Sequence, residues 1–328
     1  MNKYVRSDLP SIYADMNVFR YVAYGELVIE NPERFRWVYS HVHLDEVART
    51  GNADGLDGMR LLKAIEICDV LDQKFRSVGN IILRGYVDPA VRYQRHLEAI
   101  AGSERSDDFI VEHMLRMFGA GNFKELSLTP EMLRNEINRL TGEMDATTRD
   151  KMVARAEAVS DEMEENIEKH LKERHPIDQT RLKMGLTSSA RSDAARSHSP
   201  IDAIWEIIGS STGGIPKNQF FGFEPNPTIT GVPHTQDSAL AGAHIVLNML
   251  GLSPDKGLAK REKIRNIISD GQHVGMASYC NGVLSADKRF CDKANAIYTH
   301  IGSKTRALWF QYKPEGCIVR LGATETSQ

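Results

Sequence analysis

The 328 residues carry 41 lysines and arginines against 44 acids, a net charge of −3. No strong overall field therefore drives the chain onto nucleic acid, although a local basic groove is compatible with an acidic total. Hydrophobic residues at 41% and charged residues at 26% describe a soluble globular chain of one large domain or two ordinary ones. The four cysteines, Cys68, Cys280, Cys291 and Cys317, form no Cys-x-x-Cys pair, which argues against a zinc ribbon or a disulfide scaffold. The first ten residues lack an apolar signal core, and no run reaches the ~18 apolar residues of a membrane span. A cytoplasmic protein with reduced thiols and no membrane partner is expected.

In chain order, "SIYAD" is a short, apolar, β-prone run that ends on Asp15, and "NVFRYVAYGE" after it opens a helix. "RFRWVYS" is a second strand ending on Ser40, and "HVHLDEVART" is a helix stopped by Gly51. From Asp54 to about Trp205 the pattern is overwhelmingly helical, with Met59, Leu62, Ile65 and Leu71 near one face. Asp88 and Pro89 predict an N-cap and first turn, as do Thr129 and Pro130. A long charged helix ends before Pro176. "TSSARSDAARSH" reads as a mobile loop, "SPIDAIWEIIG" as a capped helix, and residues 209–236 as irregular Gly- and Pro-rich loop. The C-terminal part returns to α/β character. "DSALAGAHIVLNMLGL" is a helix, "LAKREKIRNIISDGQHVGMASYCN" one or two more, "GVLSAD" a strand, "KRFCDKANAIYTHIG" a helix and "TRALWF" a strand.

The acids sit where this α/β pattern would gather a ligand. Asp15 and Asp287 end strands, Glu46 lies in the helix after a strand, and Asp270 is expected to open a helix. In open α/β sheets, ligands collect outside the carboxyl ends of strands. Acids brought together there repel one another unless a cation neutralises them, and hard oxygen donors favour Mg2+ or Mn2+. Each acid also has an ordinary reading: Asp15, Asn17 and Asp270 as helix caps, Asp287 as a turn residue.

With these residues in view, the chain resembles the PIN-domain ribonucleases. That pattern is an apolar strand ending in Asp-x-Asn, a Ser followed six residues later by Glu, a helix-opening Asp, and a second Asp after a short strand. It reads here as Asp15 with Asn17, Ser40 with Glu46, Asp270 and Asp287, with Ser285 two before the last acid. The resemblance implies an α/β, PIN-like three-layer fold with a central, mostly parallel sheet. The nuclease domain would be discontinuous, 1–50 and 237–328, interrupted by a large all-helical insertion over 51–236. It implies a metal-dependent endoribonuclease in which Asp15, Glu46, Asp270 and Asp287 hold Mg2+ or Mn2+. Asn17, Ser40, Ser285 and His273 would support them. RNA stands ahead of DNA as the substrate. The basic run Lys260, Arg261, Lys263 and Arg265, with Lys288 and Arg289, would meet the phosphate backbone; its ordinary reading is a solvated helix face. The helical insertion could also make a homo-oligomer.

Two other classes stand beside this one. A PIN-like RNA-binding or scaffold protein that no longer cuts would keep the fold without the metal. A histidine metal hydrolase would use His41 and His43 with His234 and His244. On a helix, however, His41 and His43 point about 200° apart and cannot share one ion. Asp45, adjacent to Glu46, reads as a solvated surface acid.

Overall fold

A computed structural model of the chain describes residues 9–71, 77–101, 131, 134–135, 146–170, 176–225, 234–255 and 260–322. In order, the described elements are β1 (Ser11–Ala14), α1 (Met16–Ala23), β2 (Leu27–Ile29), β3 (Arg36–Ser40), α2 (His41–Thr50), α3 (Asp54–Leu61), β4 (Ile65–Leu71), β5 (Ser77–Leu83) and α4 (Pro89–Ile100). They continue with α5 (Ala146–His170), α6 (Pro176–Lys183), α7 (Ser188–Arg196), α8 (Pro200–Ile208), α9 (Lys217–Phe220), α10 (Gln236–Leu250), α11 (Arg261–Ala277), β6 (Gly282–Ser285), α12 (Lys288–His300), β7 (Arg306–Trp309) and β8 (Cys317–Val319).

The fold is α/β. Six strands form one sheet in the order β5-β4-β3-β1-β6-β7, parallel except for the antiparallel β4–β5 pair. A separate two-stranded parallel sheet joins β2 to β8. Strand side chains alternate between the faces, and both faces are buried. Tyr13, Val38, Ile67 and Val283 pack with Ile204 of α8, Leu247 of α10 and Ile297 of α12. Ile12, Trp37, Tyr39 and Leu284 pack with Phe19 of α1, Leu44 of α2 and Met59 of α3. Helices on both faces of the sheet make three layers, and they explain why the parallel strands are almost wholly apolar.

The chain divides into two compact units. Unit 1, Met1–Glu104, Met184–Asp255 and Asn266–Gln328, contains both sheets. Unit 2, Arg105–Lys183 and Lys256–Arg265, contains α5 and α6 among its described residues. Within unit 2, Arg134 Nη2 meets Asp161 Oδ1 at 2.9 Å. No helix among the described residues is long and apolar enough to cross a membrane.

Several sequence expectations are corrected. The stretch 51–236 is not all helical, because β4 and β5 lie in it and extend the main sheet. The helical face of Met59 and Leu62 ends where Lys63 takes a left-handed φ of 50°. Beyond it, Ile65, Glu66 and Ile67 pair with Val38, Tyr39 and Ser40 of β3. Residues 188–196, expected as a mobile loop, form α7, because Thr187 Oγ1 caps it by accepting from Ala190 N at 3.2 Å. The predicted cap at Asp88 is present, its Oδ1 accepting from Ala90 N at 2.9 Å. The helix predicted after Thr129 and Pro130 falls largely outside the described residues.

Candidate carboxylate site

The strand order locates the site. From β1 the chain builds one half of the sheet through β3, β4 and β5, then returns to lay β6 and β7 on the other side of β1. The switch point between β1 and β6 is where an open α/β sheet leaves a crevice at its carboxyl edge. Asp15 follows β1 there, and Asp287 stands two residues past the end of β6.

The two acids are tied together. Asp15 N donates to the Leu284 carbonyl at 3.0 Å, joining the strand ends. Ser285 Oγ donates to Asp15 Oδ2 at 2.7 Å and accepts from Asp287 N at 3.0 Å. Ser285 is fully buried, so this hydroxyl has a fixed role between the two acids. Asp287 Oδ1 also caps α12, accepting from Arg289 N at 2.7 Å and Phe290 N at 3.1 Å. Asp15 stands at the cap position of α1 but makes no side-chain cap bond. The ordinary capping reading therefore fails for Asp15, and Asp287, whose ordinary reading was a turn residue, is instead a helix cap.

Glu46 reaches the same neighbourhood from α2. Its Oε1 lies 3.5 Å from Arg20 Nη2, and its Oε2 lies 3.7 Å from His273 Nε2. Burial pushes the Glu46 carboxyl up, but His273, Arg20 and Arg49 outweigh it and hold it below the usual range. Asp15 moves the other way. Burial raises it most, Glu46 and Asp287 add to the rise, and His273 and the Ser285 hydroxyl only partly offset them. Asp270 is raised well above the carboxylate range by burial, then by Asp15, Asp255 and Asp287, against Lys293. Asp15 thus feels Glu46 and Asp287, and Asp270 feels Asp15 and Asp287. Asp270 does not open a helix as expected: it lies well inside α11, an unbroken helix of 17 residues, and cannot be its cap.

Beneath Glu46 runs a buried hydrogen-bond chain. Tyr13 is fully buried, and its hydroxyl lies 2.7 Å from Ser40 Oγ and 2.7 Å from His273 Nδ1. His43 Nε2 donates to the Ala14 carbonyl at 2.8 Å, so its Nδ1 accepts the Ser40 N–H at 3.1 Å. One direction satisfies Ser40, Tyr13 and His273 Nδ1, and leaves His273 Nε2 buried without a hydrogen bond but 3.7 Å from Glu46. Ser40 donates to Tyr13, Tyr13 donates to His273 Nδ1, and the remaining Nε2–H of His273 faces the Glu46 carboxylate. The reverse direction would leave the Ser40 hydroxyl without an acceptor and turn an imidazole lone pair toward an anion. Ser40 and His273 therefore act through Tyr13, which sequence reasoning missed. A tyrosine in the middle of a fully buried strand was the available signal, since its hydroxyl needs an interior partner.

The histidine-hydrolase alternative loses two of its four ligands. Both ring nitrogens of His43 are engaged inside the core, and His234 Nε2 meets the Gly222 carbonyl at 3.0 Å. Asp45, half exposed, pairs with His96 at 2.9 Å. Asn17 lines an open concavity with Tyr21, Ala286, Asp287, Lys288 and Arg289. Lys288 and Arg289 thus stand beside the acids in unit 1. Lys260, Arg261, Lys263 and Arg265 belong to unit 2, where Lys260 and Lys263 are exposed. Among the described residues, no three His, Cys, Asp or Glu side chains form a ready-made metal cluster. No protein-family model, curated protein sequence or solved structure matches the chain.

Proposed function

We propose that this chain is a PIN-like, metal-dependent nuclease acting on phosphodiester bonds, RNA ahead of DNA. The observation that carries this reading is the pairing of Asp15 and Asp287 across the β1–β6 switch point through the hydroxyl of Ser285. The fit to Mg2+ or Mn2+ rests on charge and placement rather than on a closed cage. Magnesium is commonly held by one or two carboxylates, with water and substrate phosphate completing its shell. Asp15 and Asp287 supply two carboxylates, and Asp15 and Asp270 carry a like-charge cost that a cation would offset.

Asp15 and Asp287 would hold the ion, with Glu46 and Asp270 flanking it. When bound, the ion would supply an activated water and neutralise charge on the phosphorus under attack. Ser285 fixes the Asp15 carboxylate by donating to its Oδ2. His273 and Arg20 hold Glu46 ionised. Lys288 and Arg289 provide positive charge for the phosphate chain at the rim.

The test is cleavage of single-stranded RNA with Mn2+ by the wild type, Asp15→Asn and Asp287→Asn. Cleavage that survives both substitutions, or excess EDTA, would refute the site. A second reading, an RNA-binding PIN-like module that does not cut, is favoured by the lack of a three-donor cluster among the described residues. RNA binding without Mn2+ binding in a calorimetric titration would establish that reading instead.

A further inference from the structure

The carboxyl edge of the sheet carries an aromatic feature that the carboxylates do not explain. Trp309 ends β7, in register with Ser285 of β6. It is 46% exposed, unusual for so large an apolar side chain. Its indole N–H is already spent, donating to the Ala286 carbonyl at 3.1 Å. That bond fixes the ring and leaves only its π-face to offer a ligand. Ala286 itself lines the concavity beside Asp287.

Tyr21 also lines that concavity, and its ring is stacked on Tyr312, with centroids 4.1 Å apart and planes 11° off parallel. Tyr312 is anchored in turn, its hydroxyl donating to Glu26 Oε2 at 2.9 Å. Of the two basic residues there, Lys288 is tied to Asp292 at 2.8 Å. Arg289 makes no ion pair among the described residues. Anchored aromatic faces beside a guanidinium with no ion pair among the described residues are the components that bind unpaired bases through their faces and the backbone through charge. A duplex keeps its base faces stacked inside and cannot use them.

We propose that this concavity is a stacking subsite for an unpaired nucleobase, with Trp309 and the Tyr21–Tyr312 pair as its aromatic surfaces and Arg289 as its phosphate contact. The inference deepens the nuclease reading and rests on it for the placement of the scissile bond, but base stacking itself needs no metal. The Trp309 N–H and the Tyr312 hydroxyl are already engaged, so these two rings offer faces rather than base-edge contacts, and stacking on them takes any base.

The test is a fluorescence titration in EDTA, where no metal-dependent cleavage occurs. Trp37 is buried and Trp205 half-buried, so exposed Trp309 dominates the response to a stacked base. A short single-stranded RNA, or its DNA counterpart, should quench the emission; quenching by either supports the subsite. Trp309→Leu should abolish the quench and weaken binding roughly 5- to 150-fold, the range for loss of one base–aromatic stack. Trp309→Phe should recover most of the binding, and Tyr21→Leu should lose it. A strand with abasic positions, or the matching duplex, should bind wild type as weakly as the intact strand binds Trp309→Leu. Should a leucine variant fail to fold by circular dichroism, the abasic strand and Trp309→Phe decide the matter. Equal affinity for intact and abasic strands overturns the subsite. Stacking without any Mn2+-dependent cleavage keeps the subsite and removes the nuclease reading. Cleavage that is unchanged in Trp309→Leu keeps the nuclease and overturns the subsite.

Discussion

Tyr13→Phe isolates the buried chain under Glu46. The ring and its packing are retained, so the only loss is a hydroxyl 2.7 Å from both Ser40 Oγ and His273 Nδ1. Two groups are orphaned: the Ser40 hydroxyl loses its acceptor and His273 Nδ1 loses its donor. Both residues are almost wholly inaccessible to water, so solvent cannot replace the missing oxygen. A buried polar group left without its partner costs about 1–3 kcal/mol, so the pair should cost about 2–6 kcal/mol. Urea unfolding at neutral pH should show a lower midpoint with an unchanged slope. In a cycle with Ser40→Ala, the double variant should lose less than the sum of the singles, because the two share one bond. A loss under about 1 kcal/mol, or strict additivity, would mean that the Tyr13–Ser40–His273 chain does not hold this part of the core.

Three further outcomes follow from the same structure. Asp15 and Asp270 have raised native pKa values, so above the unfolded Asp value of about 3.9 the unfolded chain has lost protons the native chain retains. The metal-free protein should therefore lose stability as pH rises through that window, and Asp270→Asn should gain on wild type. Melting temperatures in EDTA between about pH 4 and about pH 8 check this, and a difference that does not grow with pH contradicts it. Gly58→Ala should destabilise by about 1–3 kcal/mol or more in thermal unfolding, because the added Cβ would overlap the Phe19 carbonyl where α3 crosses α1. Lys293→Met should cost about 3–5 kcal/mol, since the fully buried ammonium lies 3.0 Å from Asp255 Oδ2 and 3.0 Å from Asn248 Oδ1. Asp255→Asn in that background should recover part of the loss.

The local elements around the acids were legible because their signals are local. "SIYA" and "RWVYS" are apolar enough to be strands buried on both faces, and Gly51 takes the left-handed φ of 70° that stops α2. β4 escaped detection because Met59 and Leu62 continue at helical spacing into Ile65, and the break is a single backbone conformation at Lys63. Asp270 reads in the sequence as a helix start because an acid before Gly resembles a cap. The run from Arg261 to Ala277 keeps one helix through it.

The sequence by itself determined which acids stand near strand ends: a strand's length and termination are set by neighbouring residues, and Asp15 follows β1 directly while Asp287 follows β6 two residues on. It could not determine partnership, which depends on which strand lies beside which. The order β3-β1-β6 brings Ser285 onto Asp15 across 270 positions of chain. The packing of α11 sets His273 against Tyr13 across 260. Only those long-range pairings divide the work among the carboxyls, one capping a helix, one held ionised and two raised by burial. A carboxyl's charge state is a property of its three-dimensional neighbours, not of its place in the chain.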